Sequence, residues 1–293
     1  MKALALLPLL ALAAVAQPIP PAGKPSTALA PGVERHENLR YAQYGRRVLT
    51  LDLFTPEKDG TYPGVLVVHG GGWQNGDKTK FRAMCQQLAL HGYVAACVGY
   101  RLSNEARFPG ALHDLKAAVR WMRAQASKYK IDPARIAALG GSAGGHLVGL
   151  LATTSQLERF EGEGGNPEQS SAIQAAVVLG GGMDYVTPFL EDPDRPAPNM
   201  LLFFGGTYQE MSEFYADASA VTHVDEHTPP FLFLDGEFDL PGERYVTTRK
   251  KLDALEIPNE FVVMKGGKHG CWNNEPWFTP MIADVVDFFD RRL

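Results

Sequence analysis

The sequence predicts one α/β domain, a mostly parallel sheet with helices on both faces. Three observations point there. Short, almost wholly apolar runs recur at the length of buried strands. Segments with a helical apolar period separate them. With 293 residues, 45% of them hydrophobic and 21% charged, the chain can fill a large core. That composition excludes a disordered, collagen-like or polytopic membrane protein.

The elements follow in order. Leu39–Tyr44 and Val48–Phe54 form an antiparallel hairpin joined at Gly45-Arg46-Arg47. Val65–His69 is a buried strand ending in three glycines. Phe81–His91 is a helix stopped by Gly92, and Val94–Tyr100 is the next strand. After Pro109, the apolar residues Leu112, Leu115, Val119 and Met122 recur at helical spacing against Lys116, Arg120 and Arg123. Arg135–Leu139 is a core strand and Gly144–Thr154 a helix. Ile173–Leu179 and Phe231–Asp235 are strands, Gly242–Leu255 a helix, Phe261–Met264 the last strand and Pro280–Leu293 the closing helix. Residues 180–228 break the rhythm. They are long, Pro-rich and aromatic, and read as an insertion over the sheet's C-terminal edge, where ligands bind in such folds.

The ends and the cysteines carry their own expectations. Met1-Lys2, an Ala/Leu run and Ala14-Val15-Ala16 read as a signal peptide over residues 1–16, which places the protein in a secreted or periplasmic setting. Residues 17–37 read as a flexible leader and 38–293 as the catalytic domain. Cys85, Cys97 and Cys271 are too few for a disulfide scaffold and read first as small buried apolar residues, with a Cys85–Cys97 bridge the lesser alternative. A net charge of −5 leaves no basic excess to neutralise phosphates, so nucleic acid is not an expected partner. No His/Cys cluster has metal-ligand spacing, and neither metal nor cofactor is expected.

Four segments carry chemistry. Gly140-Gly141-Ser142-Ala143-Gly144 matches G-x-S-x-G and sits between a strand and a helix. A Ser there rides a sharp turn that presents its hydroxyl to solvent above a helix N-terminus. His69-Gly70-Gly71-Gly72-Trp73 follows a strand, and its glycines leave backbone N–H groups unobstructed. A tetrahedral oxyanion needs such donors fixed about 3 Å away. Gly71 and Gly72 are the natural donors, with Ala143 the third, and Trp73 packs beside the substrate. A Ser hydroxyl needs a base. Of eight histidines, His269 lies in a Gly-rich loop between the last strand and the last helix, at the edge where Ser142 emerges. His146, four residues past Ser142, reads as a local packing residue. The acid that orients the imidazole follows strand Phe231–Leu234. Asp239 lies far enough into that loop, Glu237 is its rival, and Asp235 is nearer the strand end. The chain order Ser142, Asp239, His269 is nucleophile, acid, base.

On these residues the chain resembles the α/β-hydrolase-fold carboxylesterases. It looks closest to the HGGGW branch, with hormone-sensitive-lipase-like esterases and bacterial feruloyl or acetylxylan esterases, and arylformamidases are similar. The matching stretches are His69–Trp73, Tyr100-Arg101-Leu102, the Phe108–Trp121 helix, Gly140–His146 and Gly266–Gly270. The resemblance implies Ser142 as nucleophile, Asp239 as acid and His269 as base. Two departures stand out. The family's acid loop often reads His-Gly-x-x-Asp, and Asp235 replaces that His here. The region ahead of the core is short for a cap, implying a minimal lid. The expected function is a secreted serine esterase acting through an acyl-enzyme on small esters or acylated plant polysaccharide, with acetyl or feruloyl groups. The alternatives are an arylformamidase or polyester hydrolase on the same residues, and a non-catalytic binding protein on this fold.

Overall fold

The computed structural model describes residues 23–192 and 197–293. The expected signal peptide and the leader up to residue 22 lie outside the described residues. The strands are β1 (Val33–Tyr44), β2 (Arg47–Pro56), β3 (Tyr62–Val68), β4 (Val94–Val98), β5 (Ile131–Gly141), β6 (Ala175–Leu179), β7 (Phe231–Gly236) and β8 (Asn259–Met264). The helices are α1 (Arg82–Leu90), α2 (Gly110–Ala124), α3 (Ala143–Thr153), α4 (Thr187–Glu191), α5 (Pro198–Phe204), α6 (Tyr208–Asp217), α7 (Val246–Ala254) and α8 (Phe278–Arg292).

One sheet runs in the order β1-β2-β4-β3-β5-β6-β7-β8. The pairings from β4 through β8 are parallel, and those of β2 with β1 and with β4 are antiparallel. Side chains alternate between the faces, as the pleat requires. Val65, Val67, Ala95, Cys97, Leu139 and Val177 pack under α1 and α8. Leu66, Val68, Ala96, Val98, Ala138 and Val178 pack under α2 and α3. Register places Val68 opposite Gly140, Leu179 opposite both Gly141 and Leu234, and Gly236 opposite Met264. The loops leaving β3, β5, β6, β7 and β8 therefore emerge along one edge of the sheet.

Two expectations need correction. The leader does not run to residue 37. β1 begins at Val33, which is 1% exposed, and Val33–His36 pair with Leu53–Pro56. The register shifts between His36 and Leu39, and Asn38 takes φ 57°, so this edge strand lacks the period-two pattern that marks strands in a sequence. Ahead of it, the Glu275 N–H donates to the Gly23 carbonyl and the Ala30 N–H to Gln86 Oε1, so residues 23–32 are tied to the body. Second, Cys85 and Cys97 are joined by a disulfide, and only Cys271 keeps a free thiol, buried. Helix α1 crosses the face of β4 with the two Cα atoms 6.4 Å apart, a contact that spacing alone does not reveal. The insertion over residues 180–228 carries short helices of its own. Helices α4, α5 and α6 turn most of its aromatic residues inward: Phe203 and Phe204 are buried against Trp73 and Phe108, and Tyr215 is buried against Phe204. Thr207 and Glu210 form a reciprocal capping box at the start of α6.

Candidate active site

Ser142 stands between β5 and α3 with φ 56° and ψ −123°, a backbone conformation that L residues rarely adopt. Close approach on both sides holds it there. A Cβ at Gly144 would lie 2.2 Å from the Val68 carbonyl oxygen, and one at Gly140 would lie 2.2 Å from that of Gly144. The glycines of G-x-S-x-G are thus fixed by contact between α3, β3 and the turn itself. The Ser142 N–H donates to the Leu179 carbonyl, tying the turn to β6.

Ser142, Asp239 and His269 meet at the sheet edge. His269 Nε2 lies 2.8 Å from Ser142 Oγ, and His269 Nδ1 lies 2.7 Å from Asp239 Oδ2. The three side chains form one hydrogen-bonded chain from loops 30 and 127 residues apart in sequence. Trp272, buried beneath Gly141 and Gly180, meets the His269 ring edge-on at 5.2 Å. The rival acids are engaged elsewhere. Glu237 Oε2 accepts from the Gly266 N–H and braces the base of the histidine loop. Asp235 is fully buried below, accepting from the Tyr245 hydroxyl and the Gly242 N–H. Burial pushes its carboxyl up to about 6, against the pull of Arg244 and these hydrogen bonds.

Ser142 and His269 open onto a cavity of about 770 Å³. Gly72, Trp73 and Ala143 line it, while Gly71 does not. Ala143 opens α3, and the first N–H groups of a helix have no intrahelical acceptor. The Gly71 carbonyl accepts from the Gln74 and Asn75 N–H groups, and the missing Cβ of Gly71 would fall 1.9 Å from the Asn75 carbonyl oxygen. The turn is braced from below. The Tyr100 ring stacks on His69 at 4.4 Å and its hydroxyl donates to the His69 carbonyl. Arg101 forks onto Asp114 of α2, with Nη2 to Oδ1 at 2.7 Å.

Trp73 and His146 are linked more closely than the sequence reveals. Trp73 Nε1 donates to His146 Nδ1 at 3.1 Å, and His146 Nε2 lies 2.7 Å from the Ala218 carbonyl. An indole N–H can only donate and a carbonyl can only accept, so the imidazole is the neutral Nε2–H tautomer. One ring therefore joins the glycine turn, α3 and the insertion. Complete burial lowers His146 to about 4, offset only in part by Ala218. An unfolded His titrates near 6.5, so the unfolded chain takes a proton that the native state refuses between those values. This contribution is present above about pH 6.5 and is lost as pH falls toward 4. Unfolding by urea should show about 3 kcal/mol of stability lost over that interval from this group. His146→Gln, which keeps the donor to Ala218, should remove that part of the slope. An unchanged pH profile in this variant would show that His146 is not its source.

Arg244 was not singled out by the sequence. It lines the cavity and donates from Nη1 to the Gly180 carbonyl at 2.8 Å and from Nη2 to Asp239 Oδ1 at 2.8 Å and to the Asp239 carbonyl at 2.5 Å. Its Nε lies 3.5 Å from Asp235 Oδ2. Asn199, at the start of α5, also lines the cavity, and Gln74 Nε2 donates to its side-chain and backbone oxygens. Among the described residues no group of three or more His, Cys, Asp or Glu side chains could hold a metal ion, and no helix is long and apolar enough to cross a membrane.

With this geometry in place, comparison with known proteins is informative. The BD-FAE family matches residues 51–243. A Mycobacterium tuberculosis protein described as a probable carboxylic ester hydrolase, LipM, is 35% identical over 209 residues, covering 69% of this chain and 47% of its own. Esterase LipC of the same organism is 29% identical over 221 residues, covering 71% and 53%. The chain thus spans about half the length of these curated relatives. Among solved structures, a truncated carbohydrate esterase from gut microbiota superposes with a TM-score of 0.79 at 25% identity, covering 92% of this chain and 99% of its own. A bifunctional GH43-CE protein of Bacteroides eggerthii gives 0.77 at 27% identity, covering 88% and 38%.

Proposed function

Because the chain belongs to the BD-FAE family of α/β-hydrolase-fold proteins, we propose that it is a serine carboxylic-ester hydrolase working through an acyl-enzyme. The observation that carries this reading is the hydrogen-bonded chain Ser142–His269–Asp239 opening onto a cavity beside Gly72 and Ala143. The names of the relatives, carboxylic ester hydrolase and esterase, support the same chemistry.

The steps follow from the atoms. His269 Nε2 accepts the Ser142 proton as Oγ bonds to the ester carbonyl carbon. The Gly71, Gly72 and Ala143 amides receive the oxyanion, each donor worth about 3 kcal/mol. The carbon–oxygen bond to the alcohol breaks, and His269 returns the proton to that oxygen. Water then repeats the sequence on the acyl-enzyme, giving the free acid and regenerating Ser142. Asp239 holds Nδ1–H and balances the imidazolium in both halves.

Within this class we place acylated carbohydrate as the natural substrate, in a secreted or periplasmic setting. Support comes from the carbohydrate esterase names of two structural neighbours, from the open cavity and from the N-terminal sequence pattern. The purified protein should hydrolyse p-nitrophenyl acetate and take one fluorophosphonate group on Ser142, located by peptide mass spectrometry. No turnover and no adduct would favour a binding protein on this fold. Release of acetate from acetylated xylo-oligosaccharide, compared with release from simple alkyl acetates, tests the carbohydrate part.

A further inference from the structure

We infer that Arg244, held from below by the buried Asp235, is a positioning residue that aims Asp239 at His269 and tunes the pH range of the reaction. The inference rests on the ester-hydrolase reading above. Asp239 presents two carboxylate oxygens. Oδ2 faces His269, while Oδ1 and the residue's own carbonyl are gripped by one guanidinium nitrogen. The other terminal nitrogen is anchored on Gly180, at the end of β6. A planar fork bonded at three points cannot rotate without breaking a bond, so the carboxylate plane is set by Arg244.

Asp235 completes the device. It stands at the end of β7 and is wholly buried. An isolated carboxylate there would be strongly disfavoured. The Tyr245 hydroxyl and the Gly242 N–H donate to it, and the Arg244 guanidinium lies at ion-pair distance, Nε 3.5 Å away, without a hydrogen bond from that nitrogen. Asp235 and Arg244 are therefore two halves of one arrangement: Asp235 lies against the guanidinium, and the guanidinium orients Asp239.

The electrical consequence has a definite sign. A cation against Asp239 opposes the field that this carboxylate exerts on the imidazolium, and Asp235 opposes the cation, so removing one or the other changes that field in opposite senses. Other charges face the same space. Glu243 precedes Arg244 along the rim, Glu237 anchors the histidine loop through Gly266, and Lys268 precedes His269. Asp184 and Glu191 line the opposite wall. Burial keeps the Cys271 thiol and the Tyr185 and Tyr245 phenols neutral through the working range. None of these groups touches both Asp239 and a second buried acid, as Arg244 does.

The test compares pH profiles of kcat/KM for p-nitrophenyl acetate. Asp235→Asn leaves the guanidinium undiluted beside Asp239, and its acidic limb should move to lower pH. Asp235→Asn with Arg244→Met removes both buried charges, so no uncompensated carboxylate threatens folding. Its limb should move up by about one pH unit, and kcat should fall tenfold or more, about what a misplaced catalytic group costs. Arg244→Lys keeps the charge but not the fork, so its limb should stay while kcat falls. Limbs that coincide with wild type in all folded variants, or shifts of the same sign in Asp235→Asn and the double variant, would overturn the inference. Fluorophosphonate labelling of wild type separates the two levels. A labelled, active wild type with unmoved limbs sinks only the role of Arg244, whereas an unlabelled, inactive one sinks the hydrolase reading beneath it.

Discussion

Ser142→Ala should lower kcat for short-chain p-nitrophenyl esters about a million-fold, the loss expected when the nucleophile of such a chain is removed. The variant should keep its fold, because the turn is held by neighbours and not by the hydroxyl. Gly144 packs against the Val68 carbonyl, Gly140 against Gly144, and the Ser142 N–H reaches Leu179 whatever side chain it bears. Among the described residues the hydroxyl's hydrogen-bond partner is His269. Stopped-flow assays on protein shown by thermal unfolding to match wild type would measure the loss. Some acceleration over water should survive, because the Gly71, Gly72 and Ala143 amides and the cavity remain. Full turnover in Ser142→Ala would remove the nucleophile from the proposal.

Asp239→Asn is the second large effect, about ten-thousand-fold in kcat at neutral pH. The reason lies in the tautomer. Asp239 Oδ2 accepts from His269 Nδ1–H and so leaves Nε2 free to take the Ser142 proton. An amide nitrogen at that position donates to Nδ1 instead, which places the proton on Nε2 and blocks the transfer. Geometry is otherwise kept, since Arg244 can still donate to an amide oxygen and to the backbone carbonyl. NMR of the ring nitrogens should show the proton exchanged between Nδ1 and Nε2. Glu237→Gln serves as the control. It alters an acid on the same loop that bonds Gly266 and does not touch the imidazole, so it should retain turnover. Equal losses in the two variants would mean that Asp239 has no special part.

The middle of the sheet was legible because strands such as β4, β6 and β7 are buried throughout and read as unbroken apolar runs. The elbow was legible because a Ser at a left-handed turn tolerates few neighbours other than Gly. His269 was found only through the order of the other segments, since a lone loop histidine carries no local signal. What stayed hidden depends on contacts between distant segments. β1 starts among Glu34, Arg35 and His36 because edge pairing needs no apolar pattern and the bulge at Glu37-Asn38 breaks the alternation. The Cys85–Cys97 bond needs the crossing of α1 over β4. The short helices of the insertion are set by packing of Phe203, Phe204 and Tyr215, with Pro188 and Pro198 at helix starts and a kink at Met211. Arg244 lies in a polar loop, and only the folded chain brings it between two carboxylates.

The link from Trp73 through His146 to the Ala218 carbonyl bears on how such a protein can diversify. The segment that shapes the cavity is also a mechanical support for the turn that faces the ester. Exchange of that segment between related scaffolds, whether by evolution or by an engineer, must deliver a backbone acceptor at the position of Ala218. A graft without one would leave a buried imidazole N–H unsatisfied, at about 1–3 kcal/mol, and would loosen the catalytic floor even if every new wall residue suited the desired substrate.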